Sequence, residues 1–412
     1  MNRIPQSERV HIVVVGRRNV GKSSLVNELI GQEISIVSDV AGTTTDPVKK
    51  AVELLPYGPV VITDTAGIDD VGELGSMRVS KTIKTLSSAD FALLVMDANQ
   101  VMSKEESVLI NYLRESGIPF LIALNKAEAA VNRSLQEELF KTGTVYFEVS
   151  CRKKTGIDIL RRKLIEMLPS EKQPLILDGI VNKGDTVLLV VPIDRGAPKE
   201  RIILPQVQTL RHGLDNDNIV IVVKDTELTR ALGELKNPPS LVITDSQAIG
   251  YVNSVVPENI RLTTFSILMA RYKGELSEFI NGIKRIEELK DGDRILIAEA
   301  CTHHPQSDDI GRIKIPDWLY KRTGKKIQID IKSGQDFPEN LSVYRLIIHC
   351  GGCMLTRKTM LTRIKAAKLM NVPIINYGLL ISYIHNAIPR VLIPFEEAMN
   401  QWSKREIAMS GK

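Results

Sequence analysis

The segment Gly16-Arg17-Arg18-Asn19-Val20-Gly21-Lys22-Ser23 fits the pattern G-x4-G-K-[ST] and lies between an apolar run, Ile12-Val13-Val14-Val15, and a helical stretch opening at Ser24-Leu25-Val26. Strand, glycine loop and helix in that order commit the surrounding chain to an α/β sheet with an anion cradle at a strand's carboxyl end. The glycines let backbone N–H groups wrap phosphates. Lys22 is expected to span the β and γ groups and Ser23 to ligate Mg²⁺, with Asn19, Val20 and Ser24 on the same loop.

The whole chain is too long for one ordinary core: 412 residues predict two to four domains. Hydrophobic residues at 43% and charged residues at 25% are those of a globular chain able to bury real cores. A net charge of +5, with no long Lys/Arg run interleaved with aromatics, argues against a nucleic-acid partner. The first ten residues carry no apolar signal core, and no stretch reaches the roughly 20 apolar residues of a spanning helix, so no membrane role and a cytoplasmic location are expected. Four cysteines, three of them grouped with histidines, suit metal binding in a reducing compartment better than a disulfide scaffold.

The expected fold class is α/β in three parts. Residues 1–170 alternate strands (IVVVG, VVITD, FALLVMD, FLIALN, VYFEVS) with helices and close on a helix over 157–167, the pattern of a phosphate-loop nucleotide domain. Pro169, Pro174 and Gly179 mark a linker. Residues 178–260 repeat the alternation on a smaller scale with few loop residues suited to chemistry, which predicts a small α/β unit that pairs with its own copy, so a homodimer. Residues 263–412 read as a long helix over 270–290, strand RILIAEA, a helix near 316–322, strands KIQIDIK and YRLIIH, a helix over 359–370 and strand VPIINYG.

Further loops follow strand ends in the first part. Asp64-Thr65-Ala66-Gly67 brings a carboxylate toward the metal and the Gly67 N–H toward the γ-phosphate, Asn125-Lys126-Ala127-Glu128 follows FLIALN, and Ser150-Cys151-Arg152 follows VYFEVS. Together these resemble the loops of the small GTPase superfamily, which implies GTP and GDP as ligands, with Asn125, Lys126, Glu128, Ser150 and Cys151 around the base. Glu128 stands where that superfamily has Asp. Gly42-Thr43-Thr44-Thr45-Asp46 resembles the first switch of GTPases of the Era and TrmE type, which implies that Thr44 reaches Mg²⁺ when the γ-phosphate is present, beside Ser23 and Asp64. Lys22, Thr44 and Gly67 are then the expected catalytic set. Ile68 occupies the position where Ras-like proteins orient water with Gln, so the site alone should be slow. Asn19 resembles its counterpart in GTPases that bind K⁺ beside the phosphates; the plainer reading is an Asn that holds loop geometry.

The cysteines form Cys301-x-His303 and, after 45 intervening residues, His349-Cys350-x-x-Cys353. Cys301 follows RILIAEA and Cys350 follows YRLIIH, so in a parallel sheet both emerge at strand carboxyl ends, where open α/β sheets build their sites. Thiolates in this number select zinc or an iron-sulfur centre over hard cations. A closed zinc site, a redox dithiol at Cys350 and Cys353, and a cluster held by three cysteines all fit the spacing.

The two halves joined in one chain resemble the family of HydF, the FeFe-hydrogenase maturation GTPase, over the whole length. The resemblance implies a 4Fe-4S cluster on Cys301, Cys350 and Cys353, with His303, His349 or Glu299 at the fourth position or beside it. It also implies a scaffold that carries a transient di-iron precursor, with the hydrogenase and radical-SAM maturation enzymes as partners. The alternative is an Era/TrmE-like GTPase of RNA modification or ribosome assembly with a structural zinc module at its C-terminal end.

Overall fold

The structure, a computed structural model, describes residues 6–31, 39–40, 48–65, 67–68, 81–129, 131–169, 175–192, 202–300, 309–334 and 336–410. Two compact units divide the chain, Met1–Lys172 and Gln173–Lys412. The first holds a seven-stranded sheet in the order β2-β3-β4-β1-β5-β6-β7. Its strands are β1 (Val10–Val15), β2 (Asp39–Val40), β3 (Val48–Leu54), β4 (Gly58–Asp64), β5 (Phe91–Asp97), β6 (Phe120–Asn125) and β7 (Tyr146–Glu148), with β2–β3 and β3–β4 antiparallel and the other pairs parallel.

Period-two alternation sorts this sheet onto two cores, because successive strand side chains point to opposite faces. Ile12 and Val14 pack with Phe91, Leu93 and Val95 against α1 (Lys22–Ile30) and α4 (Ile157–Met167). Val13 and Val15 pack with Ala92, Leu94 and Met96 against α2 (Lys104–Glu115) and α3 (Arg133–Lys141). Ser103 and Glu106 form a reciprocal capping box at the start of α2, and Asn132 caps α3 through the Leu135 N–H.

The second unit contains two four-stranded parallel sheets. One has the order β11-β10-β8-β9, from β8 (Thr186–Val190), β9 (Ile219–Val223), β10 (Leu241–Thr244) and β11 (Leu262–Thr264). Its helices are α5 (Leu204–Asp215), α6 (Leu228–Glu234) and α7 (Ile249–Val255). The other has the order β13-β12-β14-β15, from β12 (Arg294–Glu299), β13 (Gln328–Ser333), β14 (Leu346–His349) and β15 (Ile374–Asn376). One continuous core runs from Ile176 to Trp402 and takes side chains from both sheets.

The join between the sheets differs from the sequence expectation in its detail. The stretch expected as one helix over 270–290 is two helices, α8 (Phe265–Lys273) and α9 (Leu276–Glu287), interrupted at Gly274. Only a residue without a side chain fits that break: a Cβ on Gly274 would lie 2.7 Å from Phe279 Cε2 and 2.9 Å from the Ala270 carbonyl oxygen. The three-residue β11 was not expected either. It extends the smaller sheet past residue 260 and leads directly into α8, whose N-terminus Thr264 caps by accepting from the Ile267 N–H. Further on, α10 (Ile315–Thr323), α11 (Arg357–Leu369), α12 (Tyr377–Ile384) and α13 (Glu396–Ser410) complete the unit. Among the described residues no helix is long and apolar enough to cross a membrane.

Candidate functional sites

In the first unit the glycine loop follows β1 and opens α1. Its glycines are required by close approach as well as conformation. Gly16 has φ +149°, and a Cβ there would lie 2.2 Å from the Val95 carbonyl oxygen; Gly21 has φ +92°, and a Cβ there would lie 2.3 Å from Asn125 Nδ2. Lys22 is buried and its Nζ donates to the carbonyl oxygens of Gly16 (3.0 Å) and Arg17 (2.7 Å), so the ammonium turns back over the loop that would hold phosphates. Arg17 is itself tied down, with Nε 3.0 Å from the fully buried Glu106 carboxylate. Burial pushes the Glu106 carboxyl above its usual range, partly offset by its bond to the Ser103 N–H and by Arg17.

Ser23 Oγ donates to Asp64 Oδ2 at 2.5 Å, while Asp64 Oδ1 is buried with no hydrogen-bond partner. An orphaned carboxylate oxygen beside a serine hydroxyl fits Mg²⁺ or one of its bound waters. Gly67 packs directly on the glycine loop: a Cβ there would lie 2.7 Å from the Arg18 backbone nitrogen. Ile68 is 1% exposed and belongs to a core cluster, so it offers no polar group to orient water. Thr44 and its neighbours 43–46 lie outside the described residues.

The base-binding loops converge on the glycine loop through Asn125. Its Nδ2 donates to the Val20 carbonyl oxygen at 2.8 Å and its Oδ1 accepts from the Cys151 N–H at 3.2 Å, which locks three loops together. Asn19, Gly21, Ser24, Asn125, Lys126, Glu128 and Cys151 line a cavity of 580 Å³. Glu128 Oε2 accepts from Ser150 Oγ at 2.5 Å, and that bond holds its carboxyl below the usual range. The longer Glu thus has a fixed partner that sets its reach. Burial pushes the Cys151 thiol up, in keeping with a small residue used for its backbone. Sequence reasoning missed Asp97, the end of β5, whose Oδ2 accepts from Lys126 Nζ at 2.8 Å. Burial disfavours its charge, but bonds from Lys126 and Asn99 outweigh that and hold the carboxyl low.

In the second unit β12 and β14 are adjacent and parallel, with Ala298 opposite His349, so both strands end at the same edge, as strand polarity predicted. Cys350 and Cys353 are half-buried on the loop after β14. Gly352 between them has φ +65°, and a Cβ there would lie 2.3 Å from Met360 Cε. The Ala300 N–H donates to Cys350 Sγ at 3.0 Å, so the backbone one residue before Cys301 touches the second cysteine's sulfur. Cys301, His303 and His304 lie outside the described residues. Among the described residues no group of three His, Cys, Asp or Glu side chains is gathered as a metal site.

His349 is fully buried, and both ring nitrogens are engaged. Nε2 lies 3.0 Å from Arg363 Nη1 and Nδ1 lies 2.8 Å from the Cys350 carbonyl oxygen. A guanidinium can only donate, so Nε2 accepts and the proton sits on Nδ1. Burial first, then Arg363, lowers the His349 pKa to about 3, so the ring is neutral. As arranged here His349 fixes the cysteine loop, and it could ligate a metal only if Arg363 let go. Arg363 also donates to the Gly334 carbonyl oxygen at 2.6 Å and lies 4.8 Å from the centre of the Phe337 ring. Glu299 is buried at the end of β12, within hydrogen-bonding reach of Tyr377 Oη (3.4 Å) and Ser333 Oγ (3.3 Å). Burial, with Cys350 and Glu299 adding to it, raises the Tyr377 pKa so far that the phenol keeps its proton.

A phosphate loop opening α1, a Ser23–Asp64 pair and an Asn125-locked base pocket make the first unit a P-loop GTPase domain, and the second unit adds two parallel sheets with a paired-thiol loop at one strand edge. Family models agree part by part: "50S ribosome-binding GTPase" matches residues 11–126, "Hydrogen maturase F dimerization domain" 176–274 and "Hydrogen maturase F tetramerization domain" 277–394. The chain belongs to the hydrogen maturase F family: a GTPase domain is followed by that family's dimerization and tetramerization domains.

Curated relatives match the GTPase segment. The tRNA modification GTPase MnmE of Chromobacterium violaceum is 35% identical over 162 residues, 39% of this chain and 35% of the relative. GTPase Der of Campylobacter hominis is 30% identical over 161 residues, with the same coverage of 39% and 35%. The chain therefore spans about a third of the length of these relatives. Similar solved structures include Era of Aquifex aeolicus bound to GDP.AlF4- (TM-score 0.33, 19% identity, 52% of this chain and 92% of that one). The G domain of the T. maritima FeoB iron transporter aligns at TM-score 0.30 and 22% identity, over 39% of this chain and 99% of that one.

Proposed function

We propose that this protein is a Mg²⁺-dependent GTPase that holds a 4Fe-4S cluster on Cys301, Cys350 and Cys353 and serves as scaffold and carrier for the di-iron precursor delivered to FeFe-hydrogenase. The observation that carries the cluster is the bond from the Ala300 N–H to Cys350 Sγ, which brings the chain leading to Cys301 against the H-C-x-x-C loop. Donor chemistry supports it: two thiols flanking Gly351-Gly352, one of them accepting from the Ala300 N–H, suit an iron-sulfur centre, which supplies one-electron redox chemistry and, with three cysteines, a fourth iron open to a guest. Glu299 and His303 are the candidate fourth ligands, and His349 stands behind the loop.

GTP binding through Lys22, Ser23, Thr44, Asp64 and Gly67 would set the exchange of partners, the hydrogenase and radical-SAM maturation enzymes, because hydrolysis can shift affinity only through contacts that differ between nucleotide states. The test loads the protein with a synthetic di-iron mimic and mixes it with apo-hydrogenase. Hydrogen evolution above that of mimic and hydrogenase alone supports delivery; no gain from the loaded carrier counts against it. The RNA-directed alternative rests on the GTPase segment that MnmE and Der share, whereas hydrogen maturase F models cover the cysteine-bearing half. We assign the work to the cytoplasm, with no membrane or nucleic-acid partner.

Asn19 has φ +59° and lines the nucleotide cavity, which supports a K⁺ ligand beside the phosphates. GTP turnover should be faster in KCl than in NaCl at equal ionic strength, and equal rates would remove the cation from the account. For the dimer the structure offers β9, an edge strand with Ile219 59% and Val222 42% exposed. An apolar edge with unpaired backbone groups is a template for pairing with a second copy. Val222→Lys should therefore lower the oligomer mass measured by light scattering, and an unchanged mass would place the dimer contact elsewhere.

A further inference from the structure

Lys273, the last residue of α8, is 1% exposed and ranks with the largest fully buried side chains. Its Nζ donates to the carbonyl oxygens of Cys353 (2.9 Å) and Leu355 (2.8 Å), 80 and 82 residues away in the chain. A buried ammonium is costly and persists where its charge has an opposite to meet. The loop it grips carries Cys350 and Cys353, so the ammonium is fixed against the backbone of a thiol-bearing residue. A second buried cation near the loop, Arg363, bonds His349 and the Gly334 carbonyl oxygen and lies over the Phe337 ring. Lys273 also sits at the boundary of the two oligomerization domains, which the family models put between residues 274 and 277.

We propose that Lys273 is a positioning residue for the cysteine site: it clamps the Cys353–Leu355 backbone and supplies a positive charge that favours the reduced, more negative state of the cluster bound there. This rests on the cluster reading above. One-electron reduction adds one negative charge to the thiolate-bound centre, with dithionite as the electron donor in the test, and a nearby ammonium stabilises the product more than the reactant. A residue that only filled space would not move that equilibrium.

Full-length wild type and the variants Lys273→Arg, Lys273→Gln and Lys273→Met are reconstituted anaerobically with iron and sulfide, and iron and sulfide are counted per chain. Each is then titrated with dithionite against redox mediators and followed by electron paramagnetic resonance. Wild type and Lys273→Arg should share one midpoint. The neutral variants should show at least a tenfold smaller reduced-to-oxidised ratio at the same potential, which is 59 mV for a one-electron couple. Iron lost from Lys273→Met but kept by Lys273→Arg would support the clamp. Lys273→Gln loaded with iron at the wild-type midpoint would overturn the charge role, as would iron lost from Lys273→Arg as well. A wild type that takes up no cluster would instead sink the reading on which the inference rests.

Discussion

Lys22→Ala should lower GTP turnover by at least about 10²–10³-fold, the loss typical of deleting one preorganised stabiliser of transition-state charge. The residue is held in place by its own loop. It is buried within its loop, its ammonium is held by the Gly16 and Arg17 carbonyl oxygens, and those bonds are the ones that phosphate oxygens would replace. Arg17 cannot take over, because its guanidinium is paired with the buried Glu106. Iron uptake by the same variant should match wild type, since the cysteine site is built wholly from the second unit. Phosphate release and iron content measured on one preparation check both statements. Turnover within threefold of wild type would remove Lys22 from the chemistry.

Cys350→Ala should give the reverse result: loss of the iron-sulfur signal with GTP turnover retained within about twofold. Cys350 sits at the crossing of the site's supports. Its sulfur accepts from the Ala300 N–H, its carbonyl oxygen accepts from His349 Nδ1, and Arg363 holds the far side of that imidazole. Removing the sulfur deletes a ligand without touching the buried His349–Arg363 pair, so the fold should survive. Thermal unfolding beside iron analysis separates ligand loss from misfolding. A variant that loads a full cluster would exclude Cys350 as a ligand.

Sequence was most informative where chemistry demands fixed spacing. The glycine loop, Asp64, Asn125 and Cys350 each follow an apolar run that the structure makes a strand, and within each sheet parallel pairing brings the carboxyl ends of those strands to one edge of that sheet. The supports beneath these loops were much less visible. Lys273 meets Cys353 across 80 residues and Lys126 meets Asp97 across 29, and neither pairing leaves a local pattern. Arg363 left one sign, since it shares the buried stripe of α11 with Met360, Ile364 and Ala367 at helical spacing. The break at Gly274 was hidden because helical periodicity runs on both sides of it, while β11, with three residues, is shorter than any pattern that alternation can establish.

The continuous core of the second unit has a functional consequence. α8 leaves the sheet built on β8–β11, and Lys273 at its end grips the cysteine loop of the other sheet. If copies pair through β9 as proposed, this shared core would be the route by which a change in pairing reaches the thiols. The pairing variant Val222→Lys and the charge variant Lys273→Gln address the two ends of that route separately.

The central claim is that a GTPase domain and a three-cysteine iron-sulfur site share this chain, and anaerobic reconstitution with iron and sulfide followed by electron paramagnetic resonance after dithionite reduction tests it most directly. The account predicts the signal of a reduced 4Fe-4S cluster, close to four irons per chain, and its disappearance in Cys350→Ala. Zinc retained on the wild-type protein with no cluster signal would contradict it.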